Sequence, residues 1–318
     1  MTDHSFRLMG TQMRLLVEPA SAAHAAGQAR ALLEHYEARL SRFRAGSELC
    51  RLNGDPRATV PASPLLLDAV GAALWAAEHS GGLVDPTLLG ELEAAGYEQS
   101  WDTARRVELR AALTDPRERK PALARADGRW RSIEVDRRAG TVTRPPGLRI
   151  DTGGTGKGHA ADLAARMLVN EQSWAVDCGG DLRIGGTAGH VREVLIEDPF
   201  GGDDPLDTIL VRDGAVATSG VRSRIWAGPD GTPRHHLLDP STGEPAFTGL
   251  VAVTALAPTA LEAETLAKAA LLSGPAGARR ILSRRGGILV AEDGSARRIG
   301  RLAPPPRVRL RVPEAAAA

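Results

Sequence analysis

Ser173-Trp-Ala-Val-Asp-Cys178-Gly-Gly-Asp181-Leu-Arg-Ile-Gly-Gly186 holds two short β-rich runs, 173–178 and 181–186, with only Gly-Gly between them. A doubly wound sheet needs a helix after each strand, so this stretch breaks the required alternation. The same pattern extends outward. Runs at 129–136, 139–144 and 148–152 precede it, and runs at 191–197, 207–213 and 250–257 follow. In this half only 157–170 and 259–284 are predicted as helices. The fold class is therefore α+β, with a substantial antiparallel part. Towards the N-terminus, residues 5–17 alternate as a strand would. Residues 20–44 carry Leu32, Leu33, Tyr36, Leu40 and Phe43 at helical spacing, and 65–79 reads as a second helix. The stretch 98–128 is arginine-rich and polar, a surface segment. No internal repeat is present.

The chain has 318 residues, long enough for one large core or two ordinary ones. Its apolar fraction of 42% and charged fraction of 25% fit a globular protein and exclude wholesale disorder. Forty basic against thirty-nine acidic residues give a net charge of +1, which offers no electrostatic basis for binding nucleic acid or an anionic membrane. No apolar stretch approaches the roughly 20 residues that span a bilayer. Two cysteines, Cys50 and Cys178, allow at most one disulfide and no Cys-x-x-Cys zinc site. The opening MTDHSFRLMGTQMRLLV lacks a charged region followed by an apolar one, and lacks a lipobox cysteine. A cytoplasmic location is the expectation. Only three basic residues are lysine: Lys120, Lys157 and Lys268. In an arginine-dominated chain, a retained lysine can mark a place that needs a compact ammonium.

Several constellations could carry chemistry. Asp151-Thr-Gly-Gly-Thr-Gly-Lys157-Gly158 lies just before a predicted helix, where backbone amides can cradle an anion and Lys157 can add a point charge. It is not a P-loop, because Asp151 replaces the first glycine and Gly158 the magnesium-binding Ser/Thr. Arg234-His235-His236-Leu-Leu-Asp239-Pro-Ser-Thr-Gly243 reads as a β-turn, or as a His and an Asp placed for proton transfer with a hydroxyl. Metal binding by the histidine pair is disfavoured, since adjacent strand residues face opposite ways. Ser41 to Asn53 ends a helix with small polar groups and three arginines. Asp85-Pro-Thr87, Asp177-Cys-Gly-Gly180-Asp181 and Thr218-Ser219-Gly220 each also pass as turns. Glu264 and Lys268 form an i,i+4 pair on an Ala/Leu-rich helix.

In this order, the segments resemble the FAD:protein FMN transferase family, the ApbE-type flavin transferases. The resemblance runs from Met9-Gly-Thr11 through Ser41–Glu48, Asp85–Thr87, Gly153–Gly158 with Asp162, Gly179–Asp181, Thr218–Gly220 and His236–Gly243 to the helix at 263–273. It covers about residues 6–292. It implies an α+β architecture like the tunnelling fold, with a mixed, largely antiparallel sheet and two lobes around a cleft. On that pattern residues 1–300 form one domain and 301–318 a Pro/Ala-rich tail, expected to fray or lie along the surface. The family binds FAD and transfers its FMN moiety to a Ser/Thr hydroxyl of an acceptor protein with release of AMP. Carried over residue by residue, His236 and Asp239 are the catalytic pair. Met9, Ser41, Asp85, Thr87, Gly153, Gly154, Lys157, Gly158, Asp162, Gly180 and Ser219 contact the cofactor.

The chain also departs from the pattern. The family's late helix carries an Asp and a Thr that help bind magnesium, and the matching positions here are Glu264 and Lys268. Glu264 is the one candidate metal ligand left, so the magnesium ion expected from the family is in question. After Gly220, Val-Arg-Ser-Arg224 replaces the usual Asp-Tyr-Glu-Arg. Two alternatives accompany the transferase reading. One is an FAD-binding module without transfer activity, and the other a hydrolase giving FMN and AMP.

Overall fold

The computed structural model describes residues 2–99, 107–202, 204–228, 230–300 and 302. The expectation for the 301–318 tail lies, apart from residue 302, outside the described residues. The chain opens with β1 (Thr2–Leu8), β2 (Thr11–Glu18), α1 (Ala23–Leu40), α2 (Glu48–Gly54), β3 (Thr59–Pro61), α3 (Pro64–His79), α4 (Leu89–Ala94) and α5 (Leu109–Leu113). Next come β4 (Glu134–Asp136), β5 (Thr141–Thr143), α6 (Gly156–Ala165), β6 (Ser173–Cys178), β7 (Asp181–Gly185), β8 (Arg192–Ile196), β9 (Asp207–Val211) and β10 (Gly214–Gly220). It continues with β11 (Ile225–Ala227), β12 (Pro233–His235), β13 (Leu250–Ala257), α7 (Ala260–Leu272), α8 (Gly274–Leu282), β14 (Gly287–Ala291) and β15 (Ala296–Ile299).

Eight strands form one open sheet in the order β1-β2-β6-β7-β10-β13-β14-β15, and each neighbouring pair is antiparallel. The α+β, antiparallel expectation holds. Strands β2 and β6 are neighbours although α1 to α6 lie between them in sequence. Their register sets Met13 opposite Cys178, Leu15 opposite Val176 and Val17 opposite Trp174. These side chains share one face and pack with Leu33 of α1, Leu66 of α3 and Ala160 of α6. The intervening Leu16 and Ala175 point the other way, into a second buried cluster with Val253 of β13 and Leu282 of α8. Helix starts follow local capping chemistry. Ser47, Ser63 and Thr259 each accept a hydrogen bond from the amide three residues on, and Pro64 occupies the first turn of α3.

Four expectations are corrected. The strand at 5–17 is a hairpin, turned at Met9 and Gly10 with φ of 51° and 71°. Both positive values suit a two-residue primed turn. Residues 129–132 form a 3-10 helix, and only 134–136 of that run pairs as a strand. The run at 148–152 is no strand. Ile150 instead exchanges two hydrogen bonds with the Asn53 side chain, both 2.8 Å. The helix at 259–284 is two helices, broken at Gly274 (φ 65°) with Pro275 following.

Candidate functional site

A cleft of about 1600 Å³ collects most of the predicted residues. One wall carries Leu182 of β7 and Val216 of β10, and residues of β8 line the cleft as well. The other end is a ring of turns: Met9–Gly10, Gly153–Gly156 and Gly179–Gly180. Met9, Ser41, Asp85, Gly153, Gly154, Lys157, Gly180, Ser219, His236, Glu264 and Lys268 all line it. Thr87, Gly158, Asp162 and Asp239 do not.

Local hydrogen bonds fix each wall. The Met9 amide donates to Glu37 Oε1 at 2.7 Å, tying the first hairpin turn to α1. Ser41 caps the C-terminal end of α1, and its hydroxyl accepts from the Phe43 amide at 3.3 Å. Next to it the Arg42 guanidinium lies over the rings of Phe43 and Tyr97, at 4.2 and 4.5 Å, and donates to the Tyr97 carbonyl. Asp85 Oδ1 accepts from the Thr87 amide and hydroxyl at 2.8 and 2.6 Å, so Thr87 acts by holding Asp85. Asp85 Oδ2 is buried and has no partner among the described residues. Gly179 and Gly180, with φ of 68° and 91°, make the tight β6–β7 turn. The Gly180 amide donates to Asp177 Oδ1 at 2.8 Å. Ser219 sits on β10 opposite Val253.

The glycine loop leads into α6, and α6 is locked onto α7. A Cβ at Gly158 would stand 2.5 Å from the Ala260 carbonyl oxygen, so only glycine allows this approach. Asp162 accepts from the Ala260 and Leu261 amides, both at 2.9 Å, satisfying the start of α7. Burial pushes its carboxyl above the ordinary value despite these bonds. Gly158 and Asp162 thus fasten the helices rather than face the cleft.

Four charges are gathered where α6, α7 and β7 meet. Lys157 Nζ lies 2.6 Å from Asp181 Oδ2, and Lys268 Nζ lies 2.6 Å from Glu264 Oε1. Asp181 and Glu264 are 1% and 0% exposed. Burial, then the neighbouring Glu264 charge, raises Asp181 to about 7 against the pull of Lys157. Burial would raise Glu264 too, but Lys268 and Lys157 outweigh it and hold that carboxyl below its usual value. Burial works against the Lys157 ammonium, but Asp181 and Glu264 keep it charged.

The histidine pair splits at the end of β12, whose last residue is His235 and beyond which His236 lies in a bend. His235 is fully buried against Phe247, whereas His236 lines the cleft. Burial, helped by Arg224, His235, Lys268 and Lys157, holds His236 well below 6.5, so its imidazole is neutral at pH 7. Its Nδ1 has no partner among the described residues. Asp239 lies in the turn that follows, where Oδ1 accepts from the Leu123 amide and from the amide and hydroxyl of Ser241.

The donor set does not fit magnesium. Glu264 Oε1 holds Lys268, and Oε2 accepts from the Gly158 amide at 2.9 Å. Among the described residues no group of three or more His, Cys, Asp or Glu side chains could hold a metal. A hard ion that prefers several oxygen ligands finds here two buried carboxylates, Glu264 and Asp181, each already paired with a lysine ammonium.

Sequence reasoning missed Asp181, which lies buried behind Lys157 and does not itself line the cleft, and Tyr36 and Arg224, which do. The Gly-Gly-Asp181 run was visible as a turn, but nothing in it announced a partner for Lys157. In the Ser41–Glu48 run, Ser47 and Glu48 are structural. Ser47 caps α2, and Glu48 accepts from the Ser63 amide and hydroxyl at 2.7 and 2.6 Å.

No helix among the described residues is long and apolar enough to cross a membrane. The ApbE family matches residues 9–291. A FAD:protein FMN transferase of Treponema pallidum is 33% identical, covering 84% of this chain and 77% of its own. One from Klebsiella pneumoniae is 28% identical over 88% of this chain and 81% of its own. A crystal structure of the ApbE protein of Thermotoga maritima superposes with a TM-score of 0.76 at 27% identity, covering 94% of this chain and 96% of that one. The chain belongs to the ApbE family.

Proposed function

We propose that this chain is a FAD:protein FMN transferase that moves the FMN moiety of FAD onto a Ser or Thr hydroxyl of an acceptor protein and releases AMP. The observation that carries the reading is the meeting of three features in one cleft: a glycine loop opening α6, two lysine ammonium groups, and a neutral histidine. At about 1600 Å³ the cleft exceeds the roughly 300–1,000 Å³ of ordinary small-molecule pockets, which suits an extended dinucleotide beside a second substrate.

The reaction forms one bond and breaks one. The acceptor oxygen attacks the FMN phosphorus, and the bond from that phosphorus to the AMP phosphate oxygen breaks. Such transfers depend on positioning and charge neutralisation. The Gly153 and Thr155 amides are engaged by Asp151 and the Thr152 carbonyl, so the Gly154 and Gly156 amides and the Lys157 ammonium face the diphosphate, and His236 takes the proton of the attacking hydroxyl. The cations that depress His236 are countered when an anionic substrate arrives, so its proton affinity rises as the substrate binds. Asp85 Oδ2 offers an acceptor to a ring N–H or sugar hydroxyl. Asp239 is a positioning residue, since its carboxylate shapes the turn after His236. The test is incubation with FAD and an acceptor protein, followed by mass analysis for covalent flavin. Bound but unchanged FAD would favour a binding module, and free FMN with AMP a hydrolase.

A further inference from the structure

Glu264 is buried, and neither of its oxygens is open to a divalent ion while Lys268 stays in place. The ammonium itself is different. Lys268 lines the cleft with its side chain 13% exposed, and an ammonium has three donors, of which Glu264 engages one. Lys157 repeats the arrangement on Asp181, with its Nζ also 3.3 Å from the Gly179 carbonyl. Two compact cations therefore sit at the cleft floor, each seated on a buried carboxylate. They account for two of the three lysines in a chain that otherwise uses arginine. A planar guanidinium spreads its charge over a fork, whereas an ammonium concentrates it as a small ion does. Both lysines line the same cleft as His236, the proposed base.

We propose that Lys268, seated on Glu264, is a built-in cation that neutralises the substrate diphosphate, and that this chain consequently binds FAD without a divalent metal. The inference rests on the FAD reading above and adds to it the means of charge neutralisation. Glu264 fixes Lys268 from one turn away and also receives the first turn of α6 through Gly158. The ammonium is thus held in register with the glycine loop. A phosphate arriving at the loop meets Lys157 and Lys268 together.

FAD binding followed by fluorescence polarisation, first in EDTA and then with magnesium added, reads this claim without turnover. The wild-type Kd is expected to agree between the two buffers within about threefold. Tightening by about tenfold or more on adding magnesium would overturn the inference while leaving the FAD reading intact. No FAD binding in either buffer would overturn the FAD reading and this inference with it. The double variant Glu264→Gln/Lys268→Met removes the pair without leaving an unpaired buried charge. It is expected to weaken FAD binding about ten- to a hundredfold in both buffers, the range of one charge-assisted hydrogen bond. Unchanged affinity in that folded variant would deny Lys268 its role. If the variant does not fold, the wild-type comparison decides alone. Glu264→Asp/Lys268→Thr is expected to bind weakly in EDTA and to recover with magnesium. Equal binding in both buffers by this variant would contradict the exchange of ion for ammonium.

Discussion

Lys157 Nζ and Asp181 Oδ2 stand 2.6 Å apart, joining the first turn of α6 to the start of β7 through a carboxylate that is 1% exposed. The pair puts a buried negative charge directly beneath a residue that faces the cleft. Its consequences are measurable in stability as well as in binding.

Asp181 is raised from 3.8 to about 7, so the folded chain holds this proton more tightly than the unfolded chain does. By linkage, its contribution to stability is fully present below about pH 4 and is lost as pH rises towards 7. Asp181→Asn removes that titration. Urea unfolding of both proteins at pH 4.5 and 7.5 is expected to show the variant gaining on the wild type as pH rises. A difference that stays constant between the two pH values would contradict the assignment.

His236→Ala is expected to lower transfer by ~10²–10⁴, the usual cost of losing a general base, while FAD remains bound. Because His236 is held well below 6.5, kcat/KM should show no fall between pH 8 and 6 that traces to this group. Unchanged AMP release by the variant with acceptor present would remove His236 from the mechanism.

Gly158→Ala tests the clasp between α6 and α7. The added methyl meets the Ala260 carbonyl at 2.5 Å and the Leu261 amide at 2.9 Å, both backbone. Such overpacking typically costs ~1–3 kcal/mol. Chemical denaturation should show that loss, and FAD affinity should fall as Lys157 and Glu264 move apart. Full stability in the alanine variant would mean the two helices are free to separate.

FAD is expected to bind more tightly than FMN. The Arg42 platform over Phe43 and Tyr97 and the unpartnered Asp85 Oδ2 both line the cleft, and under the proposed function they are assigned to the adenylate half. Parallel titrations check this, and equal affinities would count against an adenylate subsite.

Where a periodic pattern or a turn signal existed, the sequence was legible. The helix predicted at 65–79 is observed at Pro64–His79, and the strand at 250–257 matches its prediction. Strands β10 and β14 escaped because Gly-Ala-Val-Ala-Thr-Ser-Gly and Gly-Ile-Leu-Val-Ala show no polar/apolar alternation when both faces are buried. At the candidate site, the glycine-rich turns at Gly153–Gly154 and Gly180 stand out in sequence because such turns let backbone approach a ligand, and the structure sets them on the cleft. Asp162 and Asp239 carry motif positions, yet their carboxylates are taken up by backbone amides. Asp181 was hidden for the opposite reason. Its importance lies wholly in a contact with Lys157, which only the packing of α6 against β7 creates.

The most direct test of the transferase account is a time course with FAD and an acceptor protein, measuring AMP in solution and covalent flavin on the acceptor together. The account predicts equal amounts of the two at every time, with both lost when the acceptor's target hydroxyl is removed. AMP appearing with free FMN and no flavin on the acceptor, or FAD persisting unchanged, would contradict it.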